Sequence, residues 1–101
     1  MAAQTYKLSP AAEKSIAEIV DYTDETFGTN QTPAYIAGLE ASFGLIVKFP
    51  GIGAAAFEIK SGLRRYRYQS HYIFYTVQHD LIRIEDILHV RRNIGRHLFD
   101  L

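Results

Sequence analysis

The second half of the chain carries the side chains best suited to chemistry. All four histidines lie there, as do all seven arginines. An imidazole titrates near neutral pH and can act as a general acid or base, and a guanidinium group can neutralise a phosphate. Cleavage of RNA through attack of a ribose 2′-hydroxyl uses such groups as base, acid and phosphate ligands. The side chains that could do this chemistry are His71, His89, Arg91, Arg92 and His97.

Two of these histidines, His71 and His89, also have a structural interpretation. His71 opens one predicted strand and His89 ends another, and an imidazole at such a position commonly hydrogen-bonds the backbone or a tyrosine. We therefore predict that both histidines are structural and that the chain has no catalytic residue. Ribonuclease activity that depends on His89 is the alternative.

Neither a metal nor a cofactor is predicted. The histidines His71, His79, His89 and His97 are dispersed, and no two have the i, i+4 helical spacing of many zinc sites. The segment PGIGAAAF (50–57) lacks the lysine of a phosphate-binding loop and follows no predicted strand. The chain has no cysteine, which excludes disulfides and thiolate chemistry.

Length and composition predict one domain that covers residues 1–101. A chain of 101 residues that is 48% hydrophobic and 22% charged is typical of a folded globular domain. The first residues, MAAQTYKLSP, contain no apolar signal region, and no apolar run approaches the roughly 20 residues of a membrane span. A cytoplasmic protein without membrane contact is the expectation.

Charge is distributed unevenly although the net charge is zero. Residues 1–58 have three lysines against seven acidic residues, and residues 59–101 have eight basic against four acidic residues. The basic half indicates an acidic partner, because the arginine fork suits carboxylate and phosphate groups. The alternative is that the acidic half docks on the basic half within the chain. A nucleic-acid-binding module is a third interpretation, since RRYRY (64–68) interleaves cations with aromatics, but zero net charge argues against it.

Hydrophobic periodicity predicts two helices after a short strand over 4–9. Ser9 and Pro10 suit the N-cap and first turn of the first helix, which ends at Gly28. The second helix has Pro33 in its first turn and stops at FPGIG (49–53). Each helix has one apolar stripe at steps of three and four. These stripes, predicted to be core, are Ala12, Ile16, Ile19, Val20, Thr23 and Phe27 in the first helix, then Tyr35, Ile36, Leu39, Phe43, Ile46 and Val47 in the second.

Alternating side chains predict three strands in the second half. They cover 63–69, 71–77 and 81–90, with a turn at QHD (78–80), while 54–62 is predicted as a loop with a short extended piece. In the first of these strands, arginines lie on both faces. Arg64, Tyr66 and Tyr68 share one face, and Leu63, Arg65, Arg67 and Gln69 share the other.

The last predicted strand has a phase problem. Ile82 and Ile84 share a face, but strict alternation then brings Asp86 to that face and turns Ile87 away. A β-bulge near Glu85 and Asp86 would return Ile87 to the core. The alternative is that both faces of the sheet are partly covered.

This order of elements predicts a two-layer α+β domain of the form β-α-α-β-β-β. The last three strands should be antiparallel because their connections are short. The two helices should form an antiparallel hairpin, which lets the first strand return to the sheet. The predicted fold is thus a helical hairpin packed on one face of a mainly antiparallel sheet.

Six short motifs occur in an order that resembles a known family. They are Y-x-L-S-x-x-A (6–12), Y…FG (22–28), L…F…P-G-I-G (39–53), G-L-R (62–64), S-H-Y-I-F-Y (70–75) and I-L-H-V-R-R-N…H-L (87–98). Together they resemble the ParE branch of the ParE/RelE superfamily, toxins of bacterial type II toxin–antitoxin systems. The resemblance covers nearly the whole chain and implies the strand–helix–helix–three-strand fold.

The resemblance implies a toxin that acts by binding. ParE-like toxins are associated with inhibition of DNA gyrase, whereas RelE-like toxins cleave messenger RNA on the ribosome. RelE-like toxins carry an arginine on the strand that matches HYIFYTV, and Tyr72 stands at that position here. The expected function is therefore gyrase inhibition without catalysis. A RelE-like, ribosome-dependent mRNA endonuclease is the alternative.

The resemblance also implies a ParD-like antitoxin whose acidic tail wraps the toxin. Direct DNA binding is not expected without this antitoxin. The residues predicted to contact it are Arg64, Arg65, Arg67, Tyr68, Tyr75, Arg91 and Arg92. The end of the chain matters for toxicity in ParE-like toxins, so the predicted target-binding residues are Arg96, His97 and Phe99.

Overall fold

The structure, a computed structural model, describes residues 5–92 and contains two helices on a five-stranded sheet. In chain order the elements are β1 (Thr5–Leu8), α1 (Pro10–Phe27), α2 (Thr32–Lys48), β2 (Ala54–Ala55), β3 (Arg64–Tyr68), β4 (His71–Gln78) and β5 (Leu81–His89). The strand order is β1-β5-β4-β3-β2, with β1 parallel to β5 and every other pair antiparallel. This is the predicted α+β fold, with the short strand β2 added at the sheet edge. Within this part of the chain, neither helix has the length and apolarity to cross a membrane.

Local sequence fixes the beginning and end of α1. The Ser9 hydroxyl accepts a hydrogen bond from the Ala12 N–H at 3.0 Å and donates one to the Glu85 carbonyl at 2.6 Å. Pro10 lies in the first turn, and Gly28 ends the helix at a φ of 84°, which glycine adopts without strain. The predicted cap is confirmed, and it also ties the start of α1 to β5.

The larger core lies between the two helices and the sheet. Its buried members come from both helices and from β4 and β5: Ala12, Ile19, Leu39, Phe43, Ile46, Ile73, Tyr75, Ile82, Ile84 and Ile87. The predicted stripes therefore face the sheet, with one correction. Phe27 is 63% exposed, because the last turn of α1 borders an open cavity instead of packing on the sheet.

A β-bulge in β5 keeps the isoleucines of that strand in phase with the core. Phe74 pairs with Asp86 and Tyr75 pairs with Ile84, so Glu85 is the extra residue. The bulge is where the sequence predicts it. It returns Ile87 to the core face.

The second face of the sheet is also partly covered. Residues 56–63 fold back over it, and a smaller core forms from Ala56, Leu63, Phe74 and Leu88. The two interpretations of the last strand are therefore both correct. Asp86, brought to the bulge, accepts hydrogen bonds from the Ser15 hydroxyl at 2.5 Å and the Ile87 N–H at 2.8 Å.

Ion pairs do not join the acidic and basic halves within residues 5–92. The salt bridges of this region connect Glu85 with Arg83 at 3.3 Å and with Lys60 at 4.0 Å, all in the basic half. The two halves therefore pack together without charge pairs among the described residues. Their exposed charges face solvent.

Candidate functional site

A groove opens where the end of α1, the start of α2 and the β3–β4 turn meet. It consists of a cavity of about 480 Å³ and an adjoining one of about 330 Å³, which share Tyr22, His71 and His89. We call this the histidine groove. The other polar and aromatic side chains that line it are Ser15, Glu18, Thr23, Phe27, Gln31, Tyr35, Tyr68, Gln69, Ser70 and Arg92.

Two histidines that are far apart in sequence meet in this groove. His71 on β4 pairs with His89 on β5, and their ring centroids are 5.4 Å apart in an edge-on arrangement. The bulge at Glu85 produces this pairing, since an unbroken register would place Leu88 opposite His71. His79 lies apart from them in the β4–β5 turn with a φ of 55°. The pair can be predicted from the sequence only if the one-residue register shift at the bulge is applied to the rest of β5.

Hydrogen bonds hold both imidazoles in place. The Tyr35 hydroxyl contacts Nδ1 of His71, and the Arg91 N–H donates to Nδ1 of His89 at 3.1 Å. The Tyr68 hydroxyl donates to the Tyr35 carbonyl at 2.9 Å, which fixes the tyrosine above the histidine. Because Nδ1 of His89 accepts the hydrogen bond from the Arg91 N–H, this ring carries a proton on Nε2.

Burial shifts the pKa values of Tyr35 and His71. Burial, together with the neighbouring Tyr68, raises the pKa of Tyr35 to about 12, so this phenol remains a donor. Burial and the neighbouring His89 lower the pKa of His71, which is therefore neutral at pH 7. The contact with the Tyr35 hydroxyl and the partial burial of the ring support the structural interpretation of His71.

Tyr72, which the resemblance aligns with an arginine of RelE-like toxins, points away from the groove. Tyr72 lies on the opposite face of β4 from His71 and packs against the second core. The Arg65 guanidinium lies 5.2 Å from the Tyr72 ring centroid on that outer face. Arg92 is the only arginine that lines the groove within residues 5–92. The described part of the groove therefore presents little positive charge for a scissile phosphate.

The predicted antitoxin residues on β3 divide between the two faces of the sheet, as alternation requires. Arg65 and Arg67 point to the outer face, and the Arg67 Nε donates to the Gln69 carbonyl at 2.9 Å. Arg64 points to the helix face, where it donates to the Gly53 carbonyl at 2.8 Å. Tyr68 lies beneath α2. We call Arg65 and Arg67 the arginine face.

Tyr75 requires a correction, because it is fully buried and cannot be a contact residue in this structure. Its hydroxyl donates to the Pro50 carbonyl at 2.7 Å and accepts from the Gly53 N–H at 2.9 Å. Burial raises the pKa of this phenol, while the Gly53 hydrogen bond and the Arg64 charge oppose that shift. Tyr75 therefore positions the loop after α2.

The remaining predicted residues lie at or beyond the end of β5. Arg91 and Arg92 are exposed, and Arg92 borders the histidine groove. Arg96, His97 and Phe99 lie outside the described residues. The predicted antitoxin residues do not form one surface, but lie on the arginine face, around Arg64, and beside the groove.

The groove contains aromatic side chains that the sequence does not single out as a site. Tyr22 is 61% exposed, and Phe27 also lines the cavity. Tyr22 stands off the apolar stripe of α1, which is the one sequence signal for an exposed aromatic on that helix. Within residues 5–92, no three histidine or acidic side chains cluster as metal ligands.

The arrangement of helices and strands is shared with a known toxin system. The solved structure "Chromosomal ParDE TA system from P. aeruginosa" superimposes with a TM-score of 0.75 at 16% sequence identity, covering 86% of this chain and 96% of that one. Residues 6–94 match the family described as ParE toxin of type II toxin-antitoxin system, parDE. The chain therefore belongs to the ParE toxin family.

Curated relatives agree with this assignment over nearly their full length. Toxin ParE1 of Mycobacterium tuberculosis is 35% identical over 94 residues, and Toxin ParE1 of Caulobacter vibrioides is 33% identical over 95 residues. Each comparison covers 92% of this chain and 96% of the relative. The predicted family is confirmed.

Proposed function

We propose that this ParE-family chain inhibits DNA gyrase by binding it in the cytoplasm, and that a cognate antitoxin neutralises it. Family membership supports the toxin assignment, and the ParDE system with the same fold supports an antitoxin partner. The observation that favours binding over catalysis is the state of the histidine groove. Its imidazoles are held by Tyr35 and the Arg91 backbone, and Tyr72 occupies the position expected for a nuclease arginine.

We propose that the acidic tail of the antitoxin binds the arginine face. Arg65 and Arg67 project from neighbouring positions on one side of β3, and neither makes a salt bridge within residues 5–92. Carboxylates that reach both guanidinium groups would form forked, charge-assisted hydrogen bonds. We propose that Arg96, His97 and Phe99, which follow Arg92 in the sequence, bind the target.

A supercoiling assay tests the gyrase proposal. The purified chain should block gyrase supercoiling or trap cleaved DNA, and adding the antitoxin encoded in the neighbouring reading frame should restore activity. Topoisomerase I on the same plasmid serves as the control and should be unaffected. Unchanged gyrase activity at saturating toxin would contradict the proposal.

Ribonuclease activity is the second candidate, because two imidazoles lie side by side in an open groove. Ribosomes programmed with messenger RNA should remain uncut by the purified chain if binding is its mode of action. Codon-positioned cuts that disappear in His89→Ala but persist in the turn variant His79→Asn would establish the nuclease instead.

A further inference from the structure

The segment 49–57, FPGIGAAAF, has no polar side chain and yet lies largely at the surface. Its three large side chains, Phe49, Ile52 and Phe57, are 51%, 41% and 54% exposed. Several large apolar side chains exposed on one short segment are a candidate site of interaction. We call this segment the apolar edge. It lies apart from the histidine groove, and none of its residues lines that groove.

The apolar edge contains the outermost strand of the described sheet. In β2, Ala54 pairs with Arg65, and the Ala56 N–H just after β2 donates to the Leu63 carbonyl at 2.8 Å. Backbone groups alternate in direction along a strand, so the N–H and C=O of Ala55 point away from β3. The edge thus offers a donor and an acceptor to an added strand, and its alanine side chains let another backbone approach closely.

The loop that presents this edge is rigidly held. The Tyr75 hydroxyl binds the Pro50 carbonyl and the Gly53 N–H, and Arg64 binds the Gly53 carbonyl. A Cβ atom at Gly53 would lie 2.7 Å from the Tyr75 hydroxyl oxygen and 2.8 Å from the Arg65 carbonyl oxygen, so only glycine fits. A surface fixed in this way loses little conformational entropy when a partner binds.

Cations flank the apolar edge and indicate which partner it fits. The Lys48 ammonium lies 5.7 Å from the Phe49 ring centroid, and the Arg64 guanidinium lies 5.8 Å from that of Phe57. Glu58 is the exposed acid next to this segment. Two copies of the chain that met here would bring their cations together, which costs free energy, whereas a segment with carboxylates would be attracted.

We propose that the apolar edge binds an extended segment of the antitoxin, which adds as a strand beside β2. This segment carries aliphatic side chains that cover Phe49, Ile52 and Phe57, and carboxylates that reach Lys48 and Arg64. The identity of the partner rests on the proposed function, whereas the location and the mode of binding come from the sheet edge. The arginine face lies on β3 and the apolar edge contains the neighbouring strand β2, so one continuous tail can contact both.

The Ala55→Pro variant tests the added strand. Proline removes the outward N–H of Ala55 while keeping the ladder hydrogen bonds to β3, and proline is tolerated on the open side of an edge strand. Ala55→Ser retains the N–H and is the matched control. Titration calorimetry with the antitoxin from the neighbouring reading frame should show binding weakened about tenfold or more by Ala55→Pro and by Phe49→Ser, with Ala55→Ser close to wild type.

Hydrogen exchange on the wild-type complex gives a reading that does not depend on variant folding. The Ala55 amide should exchange at least about tenfold more slowly in the antitoxin complex than in the free chain. Equal antitoxin affinity for Ala55→Pro and wild type, or unchanged exchange at Ala55 in a formed complex, would overturn the docking site and leave the proposed function intact. Failure of the wild-type chain to bind the antitoxin would overturn both.

Discussion

Single side chains in this protein often support a surface without being part of it. Tyr75 illustrates this, because its buried hydroxyl holds the loop that carries the apolar edge. Its aromatic ring belongs to the core between helices and sheet. The same residue therefore links the packing of the domain to the shape of an outer surface.

Tyr75→Phe should destabilise the fold by about 1–3 kcal/mol, because the buried Gly53 N–H and the Pro50 carbonyl lose their partner. Urea unfolding followed by circular dichroism measures the change. Tyr66→Phe is the matched control, since the Tyr66 hydroxyl makes no side-chain hydrogen bond within residues 5–92 and the residue packs on the same core. Equal losses for both variants would contradict the assigned role of the Tyr75 hydroxyl.

The free energy of unfolding should decrease as the pH is lowered, because His71 has a lowered pKa in the folded state. Burial and His89 lower the pKa of His71 in the folded state, so below about pH 6.5 the unfolded chain binds more protons at this position than the folded one. The stability that His71 contributes is complete above its unfolded pKa and is lost as the pH falls towards its lowered folded pKa. Unfolding free energies measured between pH 7.5 and pH 5 should decline less steeply in His71→Gln.

The exposed turn histidine provides the control for this pH effect. His79→Asn removes a histidine but leaves His71 in place, and asparagine tolerates the φ of 55° at that position. If the unfolding free energy of His71→Gln changes with pH as steeply as that of the wild type, a group other than His71 causes the pH dependence.

Helix α2 contains two glycines with opposite surroundings. Gly38 lies against β3, and a Cβ atom there would be 2.1 Å from the Tyr68 hydroxyl oxygen. Gly44 is exposed, and a Cβ atom there would meet nothing within 4 Å. One glycine permits close packing of helix on sheet, and the other only lowers helix propensity.

Alanine at these two positions should therefore have opposite effects. Gly44→Ala should raise the unfolding free energy by about 0.5–1 kcal/mol, since alanine has the higher helix propensity. Gly38→Ala should lower it by about 1–3 kcal/mol, because Tyr68 has to leave its position and its hydrogen bond to Tyr35. Thermal unfolding of both variants measures these changes. Stabilisation by Gly38→Ala would contradict the prediction, because it would show that Tyr68 can move without a loss of free energy.

At the scale of the whole molecule, charge is organised for partners more than for the fold. The acidic and basic halves exchange no ion pair within residues 5–92. Cations remain exposed on the arginine face and beside the apolar edge. Salt should therefore act mainly on association.

Raising the salt concentration from about 50 mM to about 500 mM should weaken the antitoxin complex severalfold while the melting temperature of the free chain changes little, because screening acts on exposed charges. Calorimetry and thermal unfolding measure the two quantities. Arg67→Glu should weaken the complex and reduce its salt dependence. Lys7→Glu, on the exposed far edge strand β1, should do neither. Equal effects of the two charge reversals would indicate a non-specific electrostatic attraction.

Much of the fold is predictable from the sequence because its determinants are local. Ser9 and Pro10 define the start of α1 through one side-chain cap and one fixed backbone angle. The phase break at Glu85 is readable from the order of isoleucines and acids in β5. Ordered motifs along the chain identify the family, and residues 6–94 match it.

Only the tertiary structure decided which candidate residues meet and which of them are exposed. The sequence presents Tyr75 and Tyr68 alike, but one is buried in the core and the other lies beneath α2. It shows His71 and His89 as separate residues, and it leaves segment 49–57 as a helix stop and a loop. Capping and alternation depend on near neighbours in the chain, whereas the pairing of distant strands and the coverage of a sheet face depend on contacts that no short stretch of sequence contains.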